Sequence, residues 1–117
     1  MSGPPTLGRM NQAGGGDQAP LAVEISSREG ALIVALSGEL DISNVATLER
    51  ELDAVLASNP PRLVFDLGQL RFLDSSGIGL LLRIKSRTAS IEVRKPTKIV
   101  QQVIEYMGLA NVLGMTA

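Results

Sequence analysis

The 117-residue chain contains no cysteine, histidine or tryptophan, and its aromatic residues, one tyrosine and two phenylalanines, amount to 3% of it. Without cysteine and histidine there are no thiolate nucleophiles, Ser-His-Asp triads, zinc sites of the usual ligand set, disulfides or histidine-based proton transfer. The shortage of aromatics hands the core to Leu, Ile and Val, because 44% of the residues are still hydrophobic. Net charge is also lacking: eleven basic against twelve acidic side chains leave -1, so no chain-wide field draws the protein to nucleic acid or to an anionic membrane. No apolar run approaches the ~18 residues of a membrane span. Met1 to Pro20 has no apolar segment of the kind a signal peptide needs. The expectation is one cytoplasmic domain, since this length does not hold two with real cores.

Residues 1–20 are rich in glycine and proline and offer little to bury against the entropy cost of ordering, so a flexible tail is expected there and a folded domain over 21–117. From Leu21 the pattern changes. Leu21, Val23 and Ile25 alternate with Ala22, Glu24 and Ser26 at strand period, and after Ser27-Arg28-Glu29-Gly30 the apolar run Ala31 to Leu36 predicts a hairpin partner covered on both faces. Val45, Leu48, Leu52, Val55 and Leu56 recur at helical spacing, with Ser43 or Asn44 as N-cap and Asn59-Pro60-Pro61 as the stop.

Leu63-Val64-Phe65 predicts a second buried strand, parallel to the first through a right-handed crossover. A helix is expected from Ser75 to about Arg87 with Ile78, Leu81, Leu82 and Lys85 on one face, then a short strand at Ile91 and Val93. Thr97 is placed to cap a last helix with the stripe Ile99, Val100, Val103, Ile104 and Met107, and Val112-Leu113 can add a final strand. The sum is an α/β domain with a mixed sheet of four to five strands, parallel in its centre, and helices packed on it.

In parallel sheets functional groups gather at the carboxyl ends of the strands, where the strand-to-helix loops emerge. One such loop carries Glu39 and Asp41, the other Asp66 and the run Asp74-Ser75-Ser76-Gly77. A hydroxyl at Ser75 or Ser76 can cap free helix amides while the other faces solvent near the positive end of the helix dipole, and Gly77 and Gly79 keep that end uncrowded. Taken alone, the run reads equally as an ordinary helix start. It is neither a dinucleotide loop, lacking the third glycine, nor a Walker loop, lacking the lysine, nor a nucleophile elbow. Asp41 and Asp74 as paired catalytic carboxylates remain open, although nothing marks a sugar cleft. Arg83, Lys85, Arg87, Arg94, Lys95 and Lys98 face only Glu92 in their stretch, whereas Glu39 to Asp53 holds five acids and one arginine, a pattern of two electrical sides or of plain solvated helix faces.

Two segments resemble the anti-sigma factor antagonists, proteins built on the STAS domain. Leu36-Ser37-Gly38-Glu39-Leu40-Asp41 is similar to that family's strand-end signature, and Phe72-Leu73-Asp74-Ser75-Ser76-Gly77-Ile78-Gly79-Leu80 to its phosphorylation segment, with the likeness running from about Leu21 to Leu113. The resemblance implies a STAS fold and no enzymatic activity. It implies that an anti-sigma factor with serine-kinase activity phosphorylates Ser76, with Ser75 as the secondary candidate. Asp41, Asp74, Ser75, Gly77, Ser43 and Asn44 would support the site or touch the partner.

In such a cycle the unmodified antagonist binds the anti-sigma factor and frees a sigma factor, phosphorylation releases it, and a phosphatase resets it. ATP belongs to the partner and this chain needs no cofactor. The chain departs from the family at Ser86-Arg87-Thr88-Ala89-Ser90, a shortened connection. The competing readings are an unphosphorylated STAS scaffold or transport accessory and, last, a small nucleotide-binding or hydrolytic enzyme. The oligomeric state is left open.

Overall fold

A computed structural model describes residues 21–116, so the tail expected over 1–20 lies outside the described residues. The elements run β1 (Ala22–Arg28), β2 (Ala31–Leu40), α1 (Val45–Leu56), β3 (Arg62–Leu73), α2 (Ser75–Lys85), β4 (Ile91–Arg94), α3 (Lys98–Tyr106) and β5 (Met115–Thr116). The five strands form one sheet in the order β1-β2-β3-β4-β5, antiparallel at the β1–β2 hairpin and parallel thereafter. The hairpin turns on Glu29 and Gly30, both at positive φ, which matches the twist of the flanking strands.

The sheet is laid down in one direction, and that decides where the helices go. Each parallel step is right-handed and each moves the same way across the sheet, so α1, α2 and α3 fall on one face. The register agrees. Val23, Leu36, Val34, Phe65 and Val93 lie on the covered face through the pairs Val23↔Leu36, Val34↔Phe65 and Phe65↔Val93, and all are buried together with Leu48, Leu52, Ile78, Leu81, Ile84, Val100 and Ile104. The other face is mixed: it carries Ile33, Ala35 and the buried Val64, and there Arg62 and Arg94 both pair with Glu92, at 3.1 and 2.9 Å. This corrects the reading of β2 as covered on both faces, since Ile33 and Ala35 are only half-buried there.

Four further expectations are corrected. The strand read at Leu63-Val64-Phe65 runs on to Leu73, so Asp66 lies within β3 and not in a loop, and Glu39 likewise belongs to β2. β3 is longer because it carries two extra residues against β2: the register steps from Ala35↔Asp66 to Ser37↔Gln69 and from Gly38↔Leu70 to Glu39↔Phe72. At the first of these, Asp66 Oδ1 accepts from the Gly68 amide at 3.0 Å.

α2 ends at Lys85, which is exposed while Ile84 and Leu80 are buried in its place. In α3 only Val100 and Ile104 of the apolar stripe are fully covered, and Ile99 and Met107 face out. The final strand is Met115–Thr116, with Val112 and Leu113 in the turn before it.

The acidic and basic runs do not make two electrical sides, because they meet. Arg83 pairs with Glu49 at 2.8 Å and Arg87 with Asp53 at 2.6 Å. Glu49 and Asp53 lie one helical turn apart on α1 and face Arg83 on α2 and Arg87 in the turn just past its end, so the two bridges form a ladder between α1 and the C-terminal end of α2.

Candidate functional site

Leu40 and Leu73, the last residues of β2 and β3, are register partners and fully buried. The residues after them, Asp41 and Asp74, therefore leave the sheet side by side, and the Asp74 amide donates back to the Leu40 carbonyl at 3.3 Å. The two loops then repeat one arrangement. Asp41 Oδ1 accepts from the Ser43 amide at 2.9 Å and from its hydroxyl at 2.5 Å. Asp74 Oδ1 accepts from the Ser76 amide at 3.0 Å and from its hydroxyl at 2.5 Å.

Asp74 is the N-cap of α2, and its carboxylate also accepts from the Gly77 amide at 3.2 Å. This corrects the expectation that a serine hydroxyl caps the helix. An aspartate one position earlier reaches the same amides with a charged acceptor, which the helix N-terminus favours. Ser76 is thus held in the first turn by its amide and its hydroxyl and is partly exposed, while Ser75 is exposed. Burial pushes the Asp74 carboxyl up, but hydrogen bonds from the Ser76 hydroxyl and from the Gly77, Ser76 and Ile42 amides outweigh that and hold it below its ordinary value.

Gly77 is buried, and its role is inward. A Cβ there would run into the Leu73 side chain and lie 3.1 Å from Leu40, so glycine lets α2 close onto the ends of both strands.

Asn44 takes the N-cap position of α1, yet neither it nor Ser43 caps the helix through a side chain. The Asn44 side chain turns back instead, donating to the Glu39 carbonyl at 2.8 Å and accepting from the Asp41 amide at 3.0 Å. At 2% exposure it is the one buried polar residue among those described, and both ends of its amide are satisfied. Sequence reasoning placed Asn44 in the right loop with the wrong partner. It missed the exposed Ile42 and Phe72, whose signal is a large apolar residue standing in a polar setting.

A depressed carboxyl adds stability that is present above its unfolded value near about 4 and is lost as the pH falls through the lower folded value. Asp74→Ala should therefore lower stability at pH 7 by about 1 kcal/mol. It should also flatten the loss between about pH 5 and pH 2, as read from thermal melts across that range. Some slope will stay, because Glu49 and Glu92 are depressed by their hydrogen bonds to Arg83 and Arg94. An acid profile unchanged by the substitution would contradict the role given to this carboxylate.

A mixed sheet with all helices on one face and an aspartate-tethered serine opening a helix at its carboxyl edge is the arrangement of a STAS domain. The comparisons agree: the family model described as "Mlab, STAS domain" matches residues 23–115. The anti-sigma F factor antagonist of Paenibacillus polymyxa is 30% identical over 98 residues, covering 80% of this chain and 84% of that protein. The anti-sigma-F factor antagonist RsfB of Mycobacterium tuberculosis is 34% identical over 61 residues, 52% of this chain and 50% of that protein, so the match spans about half of that relative. A crystal structure of an anti-sigma factor antagonist from Mycobacterium paratuberculosis superimposes with a TM-score of 0.76 at 26% identity, covering 81% of this chain and 84% of that one. The chain belongs to the STAS-domain family of anti-sigma factor antagonists. Among the described residues, no helix is long and apolar enough to cross a membrane.

Proposed function

We propose that this chain is a cytoplasmic, non-enzymatic switch. With Ser76 unmodified it binds an anti-sigma factor and frees the sigma factor held there. Phosphorylation of Ser76 by that anti-sigma factor, acting as a serine kinase, releases it, and a phosphatase restores it. The observation that carries this reading is the Ser76 hydroxyl donating to Asp74 at 2.5 Å on an open edge of the domain. The bond fixes the side-chain rotamer and leaves an oxygen lone pair for an incoming phosphoryl group.

Once attached, the phosphate adds about 1.5 to 2 negative charges beside the Asp74 and Asp41 carboxylates. The helix end attracts that charge, so the fold tolerates it better than a docked partner does. ATP is bound by the partner.

The test is incubation of the full chain with purified candidate anti-sigma factors and ATP, followed by phosphopeptide mass spectrometry. Phosphate is expected on Ser76, absent in Ser76→Ala and retained in Ser75→Ala. No phosphate with any candidate kinase would favour an unphosphorylated scaffold or transport accessory instead.

A further inference from the structure

Ile42 is 76% exposed and Phe72 is 42% exposed, and both stand at the rim of the loop pair that holds Ser76. Ile42 lies between Asp41 and Ser43, in the loop that the Asp74 amide joins to its own by donating to the Leu40 carbonyl at 3.3 Å, and Asp74 in turn accepts from the Ser76 hydroxyl. Phe72 lies two residues before Asp74 and opposite Glu39. We propose that Ile42 and Phe72 are the apolar anchors by which this chain docks on its anti-sigma factor. The face that receives them is an apolar pocket with basic side chains at its rim. This rests on the reading of Ser76 as the switch and extends it to what surrounds the serine.

The loop is built to display Ile42. The Asp41 amide bonds Asn44 Oδ1 at 3.0 Å, the Ser43 amide bonds Asp41 Oδ1 at 2.9 Å, and the Asn44 amide bonds the Asp41 carbonyl at 3.1 Å. These three bonds tie down the backbone of the turn before any partner arrives. An apolar side chain on such a support gains its full burial energy on docking with little ordering cost, as an interface anchor does. Nothing in the fold requires an isoleucine that is mostly in water.

Charge identifies the partner's rim. The ion pairs among the described residues are Arg62–Glu92, Arg83–Glu49, Arg87–Asp53 and Arg94–Glu92, so Glu39, Asp41 and Asp74 are left without a cation. Three carboxylates without an ion-pair partner, against Arg71, the cation beside Phe72, fit a basic rim around an apolar pocket, an arrangement that speeds association and fixes orientation. It also sharpens the switch. A phosphate on Ser76 would have to be desolvated within the docked surface, beside the Asp74 carboxylate, where that is costly.

The experiment is titration calorimetry and stopped-flow association of the full chain with the purified anti-sigma factor that phosphorylates it. Ile42→Ser should weaken binding about 30-fold and Phe72→Ser about 10-fold. Tyr106→Ser, at a side chain 94% exposed on α3, should leave binding unchanged, and all three should melt as wild type does. The association rate of wild type should fall several-fold between about 50 and 500 mM salt.

Wild-type binding that responds to phosphate but survives both Ile42→Ser and Phe72→Ser would overturn the anchors and leave the switch standing. A salt-independent association rate would overturn the basic rim. Failure of wild type to bind any anti-sigma factor would sink the switch and the anchors with it.

Discussion

Ser76→Glu should weaken binding to the anti-sigma factor by about 100-fold or more, while Ser76→Ala binds as wild type does. The size follows from what a fixed charge meets at this position. Ser76 Oγ lies 2.5 Å from Asp74 Oδ1, so a carboxylate at residue 76 is held beside a carboxylate at residue 74, with Asp41 in the neighbouring loop. In the free protein water screens that pair and the α2 amides offset part of it. Docking removes the water, and a loss of about 3 kcal/mol at that step is a factor of about 100 in affinity. The fold should be nearly indifferent, because the Asp74 cap on the amides of Ser76 and Gly77 does not need the hydroxyl. Calorimetry of the two variants against wild type decides the matter, and equal affinity of Ser76→Glu and Ser76→Ala would end this account of the switch.

The second large effect concerns stability. Phe65 is fully buried in β3 at the middle of the sheet, between its register partners Val34 in β2 and Val93 in β4. The rest of the core is almost wholly aliphatic, so this ring fills a volume that no neighbouring aromatic can move into. Phe65→Ala should cost about 3–5 kcal/mol. A domain of this size is stable by about 5–15 kcal/mol, so the variant should lie close to unfolding at 37 °C. Urea denaturation at 25 °C should show a lower midpoint and an unchanged slope. Because β3 carries residue 65 well away from the Ser76 edge, the folded fraction should still bind normally. A loss under about 1 kcal/mol would mean the site collapses around the missing ring.

The sequence carried the fold wherever burial is periodic. The β1–β2 hairpin, the apolar face of α1 and the Thr97 cap of α3 all follow from spacing, and Thr97 does accept from the Val100 amide, at 3.4 Å. It failed where periodicity is interrupted. The extra residues of β3 put Asp66, Gly68 and Gln69 into a strand that begins with the buried run Leu63-Val64-Phe65, so the apolar signal stopped at Phe65. In α3 the stripe is wider than the groove it packs into, and the count of apolar positions could not say which ones stay outside.

The site divides in the same way. Asp74, Ser76 and Gly77 were legible as a group because residue type and local order suffice for a helix start. That the aspartate and not a serine caps the helix is a contest between neighbouring acceptors, settled only by geometry. That Asn44 is buried and serves Glu39 and Asp41 is a tertiary fact with no local mark. The Arg83–Glu49 and Arg87–Asp53 pairs span 34 positions each, and charge runs along a chain do not tell which helices will stand opposite one another.

That ladder between α1 and α2 has a consequence for the timing of the switch. The two helices start from the loops that hold Asp41 and Asp74, which are stitched together at their origin by the Asp74 amide on Leu40 and lower down by the arginine rungs. Exposed rungs of this kind add little to stability, so the backbone bond at the origin of the loops is the firmer of the two links. On the proposed reading of Ser76, a phosphate would then be added to a surface whose two loops are already joined to each other. A switch that works by surface charge on such a support would reset as quickly as the phosphate is removed, and Ser76→Glu and wild type should share one folded shape.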